Sequence, residues 1–105
     1  GNMDEHERAI QDFDEAIRLN PQLFNAYIQR GLVHYRSGQY ERALQDLDKV
    51  IRLNPQLAEA YNYRGVAHYD SGEYERAIQD LDEAIRLDPT KSVYYEARDG
   101  AYQLL

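Results

Sequence analysis

An internal repeat of 34 residues is the feature that most constrains what this chain can fold into. The residues that recur at this spacing include Pro21, Pro55 and Pro89, Tyr27, Tyr61 and Tyr95, and Arg30, Arg64 and Arg98. Residues 24–57 and 58–91 are two full copies, identical at 20 of 34 positions, and residues 1–23 and 92–105 match a second and a first half of a copy. We therefore expect an array of similar stacked units, each contacting mainly its neighbours.

Each copy is predicted to contain two helices. Residues 24–36 contain no proline and place their small and aromatic residues three and four positions apart, on one helical face. Ser37-Gly38 interrupts this pattern and can cap the next helix, and residues 40–53 then carry an apolar stripe at helical spacing. Asn54-Pro55 ends the second helix, and the proline can take an early position in the following one. The predicted helices are 4–19, 22–36, 39–53, 56–70, 73–87 and 90–103.

The spacing and the residue types resemble those of the tetratricopeptide repeat family. The family pattern has an aromatic residue, a Leu-Gly pair and a tyrosine in the first helix, then alanine, phenylalanine and proline positions. The matching residues are Tyr27, Gly31, Ala43, Leu47 and Pro55 in one copy, Tyr61, Gly65, Ala77, Leu81 and Pro89 in the next, and Ala9, Phe13, Pro21, Tyr95 and Tyr102 in the two halves. The glycines and alanines of this pattern are expected where two helices approach closely.

The resemblance implies an all-α fold, a right-handed superhelical α-solenoid of antiparallel helix hairpins with about six helices. It covers nearly the whole chain, 1–105, which we interpret as a single array. Residues 1–23 would supply the second helix of a partial repeat, 24–57 and 58–91 two full repeats, and 92–105 the first helix of a partial or capping repeat. Asp99 stands where the helix contact requires glycine, which indicates the end of the array or a shifted last helix.

A second departure from the family pattern is an arginine at the leucine position. An arginine on a packed face requires a carboxylate partner, and an aspartate recurs at the same spacing. The pairs could lie between units, as Asp12–Arg30, Asp46–Arg64 and Asp80–Arg98, or within them, as Arg30–Asp46 and Arg64–Asp80. An anion site is the functional alternative. On the polar face of the second helices the i, i+4 spacing predicts the pairs Asp14–Arg18, Asp48–Arg52 and Asp82–Arg86.

Composition and charge narrow the classes of function. The chain has no cysteine and a formal net charge of −7, which excludes thiol chemistry and argues against a broad phosphate-binding surface, so no nucleic-acid partner is expected. No apolar run approaches the roughly 18 residues needed to span a bilayer, so no membrane partner is expected. The first residues lack the apolar core of a signal peptide. No residue identifies the cellular compartment, for which the cytoplasm is slightly favoured.

No arrangement of residues predicts catalysis, a metal site or a cofactor. The serines have no positioned base, and the repeated carboxylates share like environments, whereas acid–base catalysis needs unlike ones. His34 and His68 occupy equivalent places in successive units, roughly 10 Å apart by ordinary helix packing. That separation is too large for one ion bound at about 2 Å. We expect a non-catalytic protein in which these histidines fill the tyrosine position of the family pattern.

The positions at which the two full copies differ form a stripe on their first helices, away from the shared packing face. In the family that this chain resembles, the stripe lines a concave groove that holds peptide segments of partner proteins. Several of these residues are apolar or aromatic, where neutral drift on a solvated face, the alternative, should favour polar ones. The candidate groove residues at differing positions are Asn25, Ile28, Gln29, Leu32 and Arg36 in the first copy, and Glu59, Asn62, Tyr63, Val66 and Asp70 in the second. Tyr35 and Tyr69, which the copies share, are added because they lie one residue beyond the packing stripe, on the side that the family turns toward its groove.

These features predict an interaction scaffold that binds a peptide or a protein surface in a concave, tyrosine-rich groove. One subclass of the resembled family binds acidic C-terminal tails of chaperones through lysine, asparagine and arginine side chains. The corresponding positions here are Ile28, Leu32, Tyr63, Val93 and Ala97. Because none of these side chains is cationic, we do not expect that ligand in this register.

The alternative is a self-assembling structural unit, in which the terminal helices of two molecules form one hybrid repeat. The faces left uncovered would be those of Ala9, Phe13 and Ile17 at one end, and Tyr95, Tyr102 and Leu105 at the other. Arg98 and Asp12 would pair across such a head-to-tail junction. Asp99 and the net charge of −7 oppose it. A designed or consensus scaffold would explain the similarity of the repeats equally well.

Overall fold

A computed structural model describes residues 3–105, which form six α-helices. Gly1 and Asn2, the first residues of the predicted half-repeat 1–23, lie outside the described residues. The helices are α1 (Glu5–Leu19), α2 (Phe24–Arg36), α3 (Tyr40–Leu53), α4 (Ala58–Asp70), α5 (Tyr74–Leu87) and α6 (Ser92–Gln103). The predicted all-α fold is confirmed. Within residues 3–105 no helix has both the length and the apolar character that a bilayer crossing requires.

The helices end at the predicted residues but begin one or two residues later than predicted. Pro55 lies in the turn before α4 and not in its first turn, so the predicted early helical position is wrong. In that turn the side chain of Asn54 accepts a hydrogen bond from the N–H of Gln56 at 3.3 Å, and α4 begins after Leu57. Asn20 and Asp88 make the same contact before α2 and α6. An asparagine or aspartate before proline therefore delays each helix through a local turn.

Gly38 and its equivalent Gly72 terminate the first helices. Gly38 has a φ of 76°, which lets its N–H reach the carbonyl of Tyr35 at 3.0 Å, while the N–H of Gln39 reaches the carbonyl of His34 at 2.8 Å. This pair of bonds is a Schellman motif, which requires a left-handed residue and favours glycine. The hydroxyl of Ser37 donates back to the carbonyl of Val33, so it does not cap α3, and that part of the prediction is wrong.

The six helices form two layers of a curved array. Each helix packs against the next one along the chain, and in addition α2 contacts α4 and α4 contacts α6. In residues 3–105 the backbone of α1 does not come close to that of α3, nor the backbone of α3 to that of α5. The first helices are thus close together and the second helices are spread apart, so α2, α4 and α6 line the inner, concave side of the solenoid.

Small residues allow the two layers to approach. Ala43, Leu47, Ala77 and Leu81 lie at the interface between layers and are at most 1% exposed. A Cβ atom added at Gly65 would lie 3.1 Å from Cγ of Leu81 and 3.2 Å from the carbonyl oxygen of Ala77. These distances are shorter than an ordinary carbon contact, which confirms the expected close approach at this glycine.

The recurring arginines connect three helices at a time. Arg64 of α4 binds Asp80 of α5 through two nitrogens, at 2.9 and 2.7 Å, and binds Asp48 of α3 at 3.1 Å. Arg30 binds Asp46 and Asp14 in the same way. Of the two arrangements left open by the sequence, the pairs within units are correct. Each arginine also binds an aspartate of the preceding unit. That aspartate is Asp14 or Asp48, two residues after the Asp12 or Asp46 of the alternative pairing.

This geometry overturns the pairs predicted along the polar face of the second helices. Asp14, Asp48 and Asp82 reach Arg30, Arg64 and Arg98 of the following helix instead of an arginine four residues ahead. Arg18 and Arg86 pair with Glu15 and Glu83, three residues before them. Helical spacing alone could not reveal that a neighbouring helix offers a better-placed guanidinium.

Candidate partner-binding groove

The predicted groove residues lie on α2 and α4, the two full-length helices of the inner layer. Five of the twelve are exposed, and six are half-buried. The exposed ones are Asn25, Gln29, Arg36, Glu59 and Asp70, and the half-buried ones are Leu32, Tyr35, Asn62, Tyr63, Val66 and Tyr69. The structure therefore places both polar and partly shielded aromatic groups on this side of the array.

Ile28 is the one predicted groove residue that the structure places in the core. Its side chain is 2% exposed and packs with Tyr27, Val50 and Ala60. It lies at the contact between α2 and α4, because the inner helices of successive repeats touch there. Ile28 is thus not an exposed groove residue, and its inclusion in the accessible stripe is wrong.

Tyr35 connects the two repeats at one end of the groove. Its phenol O–H donates a hydrogen bond to the carboxylate of Asp70, and its ring centroid lies 5.6 Å from that of Tyr40. Burial and the neighbouring carboxylate raise the pKa of Tyr35 to about 12. The side chain is therefore held in place by contacts from α3 and α4.

Tyr63 occupies the middle of the groove. It is half-buried and packs against the core residues shared by α2 and α4. Burial raises the pKa of its phenol, with a further contribution from Glu59 and an opposing one from Arg36. Both of these charged side chains are among the candidate groove residues. Nearby Asn62 has a buried amide oxygen without a hydrogen-bond partner among residues 3–105.

Tyr69, the equivalent of Tyr35 in the next repeat, has a different environment. Its ring lies 5.6 Å from that of Tyr74 and packs against the buried residues Ala77, Ile78 and Ala101. A small cavity of about 160 Å³ lies beside it. The cavity is lined by Val66, Tyr69, Leu81, Glu96, Ala97 and Gly100.

Three of these cavity residues belong to α6, which the predicted site did not include. Ala97 and Gly100 stand 34 residues after Tyr63 and Val66, so α6 has small residues where α4 has large ones. The candidate groove residues come from the two full copies alone, from positions at which the copies differ and from the shared Tyr35 and Tyr69. A comparison that included residues 92–105 would have indicated this part of the groove.

On the outer side, the spread second helices leave two polar clefts. One lies between α1 and α3 and has a volume of about 580 Å³, and the other lies between α3 and α5 and has a volume of about 460 Å³. His34 and His68 lie at these clefts, with Nε2 atoms 3.9 and 3.8 Å from Asp46 and Asp80. Burial lowers the pKa of both histidines, although the aspartates oppose this effect. Each histidine belongs to the Arg–Asp cluster of its own repeat.

The faces at the two ends of the array are less covered than their internal equivalents. Tyr95 is 40% exposed, whereas Tyr27 at the equivalent position is 8% exposed. Tyr102 and Leu105 are also exposed, and Phe13 on α1 is half-buried. Within residues 3–105 Arg98 pairs only with Asp82, whereas Arg30 and Arg64 each bind two aspartates.

Paired helices stacked in two layers, with small residues between them, define an α-helical repeat protein. The chain belongs to the tetratricopeptide repeat family. The family profile described as tetratricopeptide repeat matches residues 28–92, which is more than half of the chain, and a second profile, described as TPR repeat, matches residues 3–38. A comparison with curated protein sequences gave no match.

Solved structures of the same family share this fold. The first TPR domain of Spaghetti (RPAP3), bound to an HSP90 peptide, has a TM-score of 0.91 at 20% identity, and the match covers 94% of this chain and 79% of that one. The Arabidopsis OM64 TPR domain has a TM-score of 0.91 at 24% identity, with 96% and 84% covered. The second TPR domain of human RPAP3, in complex with an HSP70 peptide, has a TM-score of 0.88 at 22% identity, with 93% and 82% covered. At these identities the similarity establishes the fold alone.

Proposed function

We propose that this chain is a non-catalytic interaction scaffold that binds an extended segment of a partner protein in its concave groove. The observation that carries the proposal is the state of Tyr35, Tyr63 and Tyr69, which are partly exposed but fixed by contacts between helices. Aromatic side chains that are already ordered lose little entropy when a partner binds, so they are effective anchors.

The charges of the groove indicate which partners it would accept. Glu59 and Asp70 are acidic, Arg36 is basic, and the chain has a net charge of −7. Two of the similar structures are complexes with peptides of HSP90 and HSP70, which supports peptide binding as a use of this fold. The present groove lacks cations at the positions that grip acidic tails in the family, so a strongly acidic peptide is not the expected ligand.

The environment of the buried carboxylates supports a non-catalytic role. Asp46 and Asp80 are buried, and each accepts two hydrogen bonds from one guanidinium. Both oxygens of a carboxylate bound in this way are already occupied by the ion pair. These residues therefore serve the packing of the array.

The proposal is tested by selecting short peptides from a random library with the full chain and locating their binding site by NMR. We expect shifts in the amide resonances of Gln29, Tyr63 and Val66 on the inner side. Shifts confined to the outer clefts around His34 and His68, or a failure to select any peptide, would contradict the proposal.

Variants separate binding from folding. Tyr63→Ala should lower the affinity for the selected peptide about tenfold, because aromatic anchors contribute much of the affinity at interfaces. Gln79→Ala, an exposed change on the outer helix α5, is the control and should leave affinity unchanged. Tyr27→Ala should mainly destabilise the fold, since this ring is buried and its hydroxyl donates to the carbonyl of Pro21.

Self-assembly is the second candidate function, and the pairing of the arginines favours it. Arg98 lacks the second, buried carboxylate that Arg30 and Arg64 bind, and Asp12 on α1 is the sequence equivalent of that carboxylate. A second copy that placed its α1 against α6 would supply it. Asp99 opposes this packing, because its side chain would occupy the close contact that Gly65 makes with Leu81 and Ala77.

Sedimentation at increasing concentration in moderate salt tests self-assembly. Head-to-tail contact predicts oligomers that Phe13→Asp disrupts, because Phe13 would lie in the junction. Asp99→Gly should strengthen association by removing the obstructing side chain. A parent chain that stays monomeric at millimolar concentration would exclude the second candidate.

A further inference from the structure

We propose that the cavity between α4 and α6 is a pocket for one large apolar side chain of a partner peptide, and that the peptide carries a lysine or arginine next to that side chain. This inference rests on the proposed function, because it assigns a ligand chemistry to one end of the same groove. It concerns residues of α6 that the repeat comparison did not single out.

The pocket exists because α6 carries smaller side chains than α2 and α4 carry at the equivalent positions. Positions 32, 66 and 100 hold leucine, valine and glycine, and positions 29, 63 and 97 hold glutamine, tyrosine and alanine. In α4, Tyr63 packs back onto the core shared with α2. In α6, Ala97 and Gly100 have no side chain long enough to do the same against α4. The space of about 160 Å³ is therefore the volume that larger side chains of α6 would fill at this helix contact.

The lining suits an apolar group. Leu81 is fully buried and forms the deep part, while Val66 and the ring of Tyr69 are half-buried at its sides. An apolar cavity of roughly 150 Å³ accepts a group the size of benzene and holds water poorly. A side chain of leucine, isoleucine, methionine or phenylalanine has the appropriate size and would replace contacts that the small residues of α6 cannot make.

The charge around the pocket indicates the neighbouring residue of the ligand. Glu96 is exposed and is the one charged residue among the six that line the cavity. This carboxylate beside the pocket, in a chain with a net charge of −7, favours a cationic residue next to the apolar side chain of the ligand.

The geometry also provides a variant that fills the pocket without harming the fold. A Cβ atom at Gly100 would meet the hydroxyl oxygen of Tyr69 at 3.8 Å and its Cε2 at 3.9 Å, which are ordinary contacts. Gly100→Val restores the residue that α4 carries at the equivalent position. Since glycine is unfavourable in a helix interior, the change should keep or raise the unfolding temperature.

The experiment uses the peptide of highest affinity selected from the random library by the full chain. We expect it to contain a leucine, isoleucine, methionine or phenylalanine adjacent to a lysine or arginine. Gly100→Val should weaken its binding about tenfold or more, because the apolar side chain loses its buried position. Replacing that apolar residue of the peptide by serine should have a similar effect on the parent chain and little effect on Gly100→Val.

Glu96→Lys tests the charge, with Glu75→Lys in the exposed first turn of α5 as a control that changes the net charge by the same amount. Only Glu96→Lys should strongly lower the affinity for the basic peptide. Selected peptides without a large apolar residue, or equal affinity for the parent and Gly100→Val, would overturn the pocket. If Tyr63→Ala still weakens binding in that case, the groove function stands and this inference alone fails. If neither variant matters, the groove function fails as well.

Discussion

Arg64 binds Asp80 through a bidentate ion pair that joins the two helices of one repeat, with N–O distances of 2.9 and 2.7 Å. Asp80 is 6% exposed, so the guanidinium compensates a charge that is largely buried. The same guanidinium also reaches Asp48 of the preceding repeat. One side chain therefore links the packing within a repeat to the packing between repeats.

Removing this arginine should be costly. Arg64→Ala leaves the carboxylate of Asp80 buried without its cation, and we expect a loss of about 3 kcal/mol in the free energy of unfolding. Arg98→Ala is the matched control, because Arg98 lies over Tyr95 as Arg64 lies over Tyr61 but pairs only with the exposed Asp82. That loss should stay below about 1 kcal/mol. Urea denaturation followed by circular dichroism measures both losses. Equal losses would show that the buried pair stabilises the fold no more than the exposed one.

The close contact at Gly65 predicts a strong size dependence. Gly65→Val should destabilise the protein by about 1–3 kcal/mol, because its Cβ atom alone would lie within 3.3 Å of three atoms of α5. Gly100→Ala on α6 should be neutral or stabilising by up to about 1 kcal/mol. Gly65→Val should therefore lower the unfolding midpoint, whereas Gly100→Ala should leave it unchanged or raise it. A neutral Gly65→Val would mean that the layers can separate without cost.

The histidines predict a loss of stability in mild acid. Burial lowers the pKa of His34 and His68 in the folded chain, so the unfolded chain binds protons more readily once the pH falls below about 6.5. Stability should be fully present above that value and decline as the pH falls through the folded pKa values. Unfolding midpoints of the parent and of a His34→Gln/His68→Gln variant, measured at neutral and mildly acidic pH, check this. The double variant should lose less stability between neutral and mildly acidic pH than the parent does. His6→Gln, on the exposed first turn of α1, should lose as much as the parent.

The contact between Tyr35 and Asp70 predicts a measurable titration. The pKa of Tyr35 is raised to about 12 by burial and by its hydrogen bond to the carboxylate. Asp70→Ala should lower that pKa towards the ordinary value of about 10, with part of the elevation retained because burial persists. NMR titration of labelled tyrosine would follow the change, and Asp99→Ala serves as the control. An unaltered pKa in Asp70→Ala would mean that burial alone accounts for the elevation.

The sequence by itself determined the helices, their order and the family. A repeat of 34 residues with small residues at fixed positions permits few alternatives, because each hairpin can bury its apolar face only against a similar neighbour. The helix ends were predictable for a local reason, since Gly38 and Gly72 adopt the left-handed conformation that stops a helix. The helix starts were less predictable, because the turns at Asn54-Pro55 and its equivalents make α2, α4 and α6 begin later than the sequence pattern indicates.

Only the tertiary structure decided which side chains meet across helices. The spacing allowed Asp48 to pair with Arg52, yet it binds Arg64, since the following helix places a guanidinium closer than the next helical turn does. Ile28 reads as a groove residue in sequence but is buried, because α2 and α4 touch along the inner side of the curve. The pocket at Gly100 likewise depends on how α6 lies against α4. Periodicity specifies which face of a helix a residue occupies, whereas the curvature of the array decides whether that face is covered by a neighbour or open to a partner.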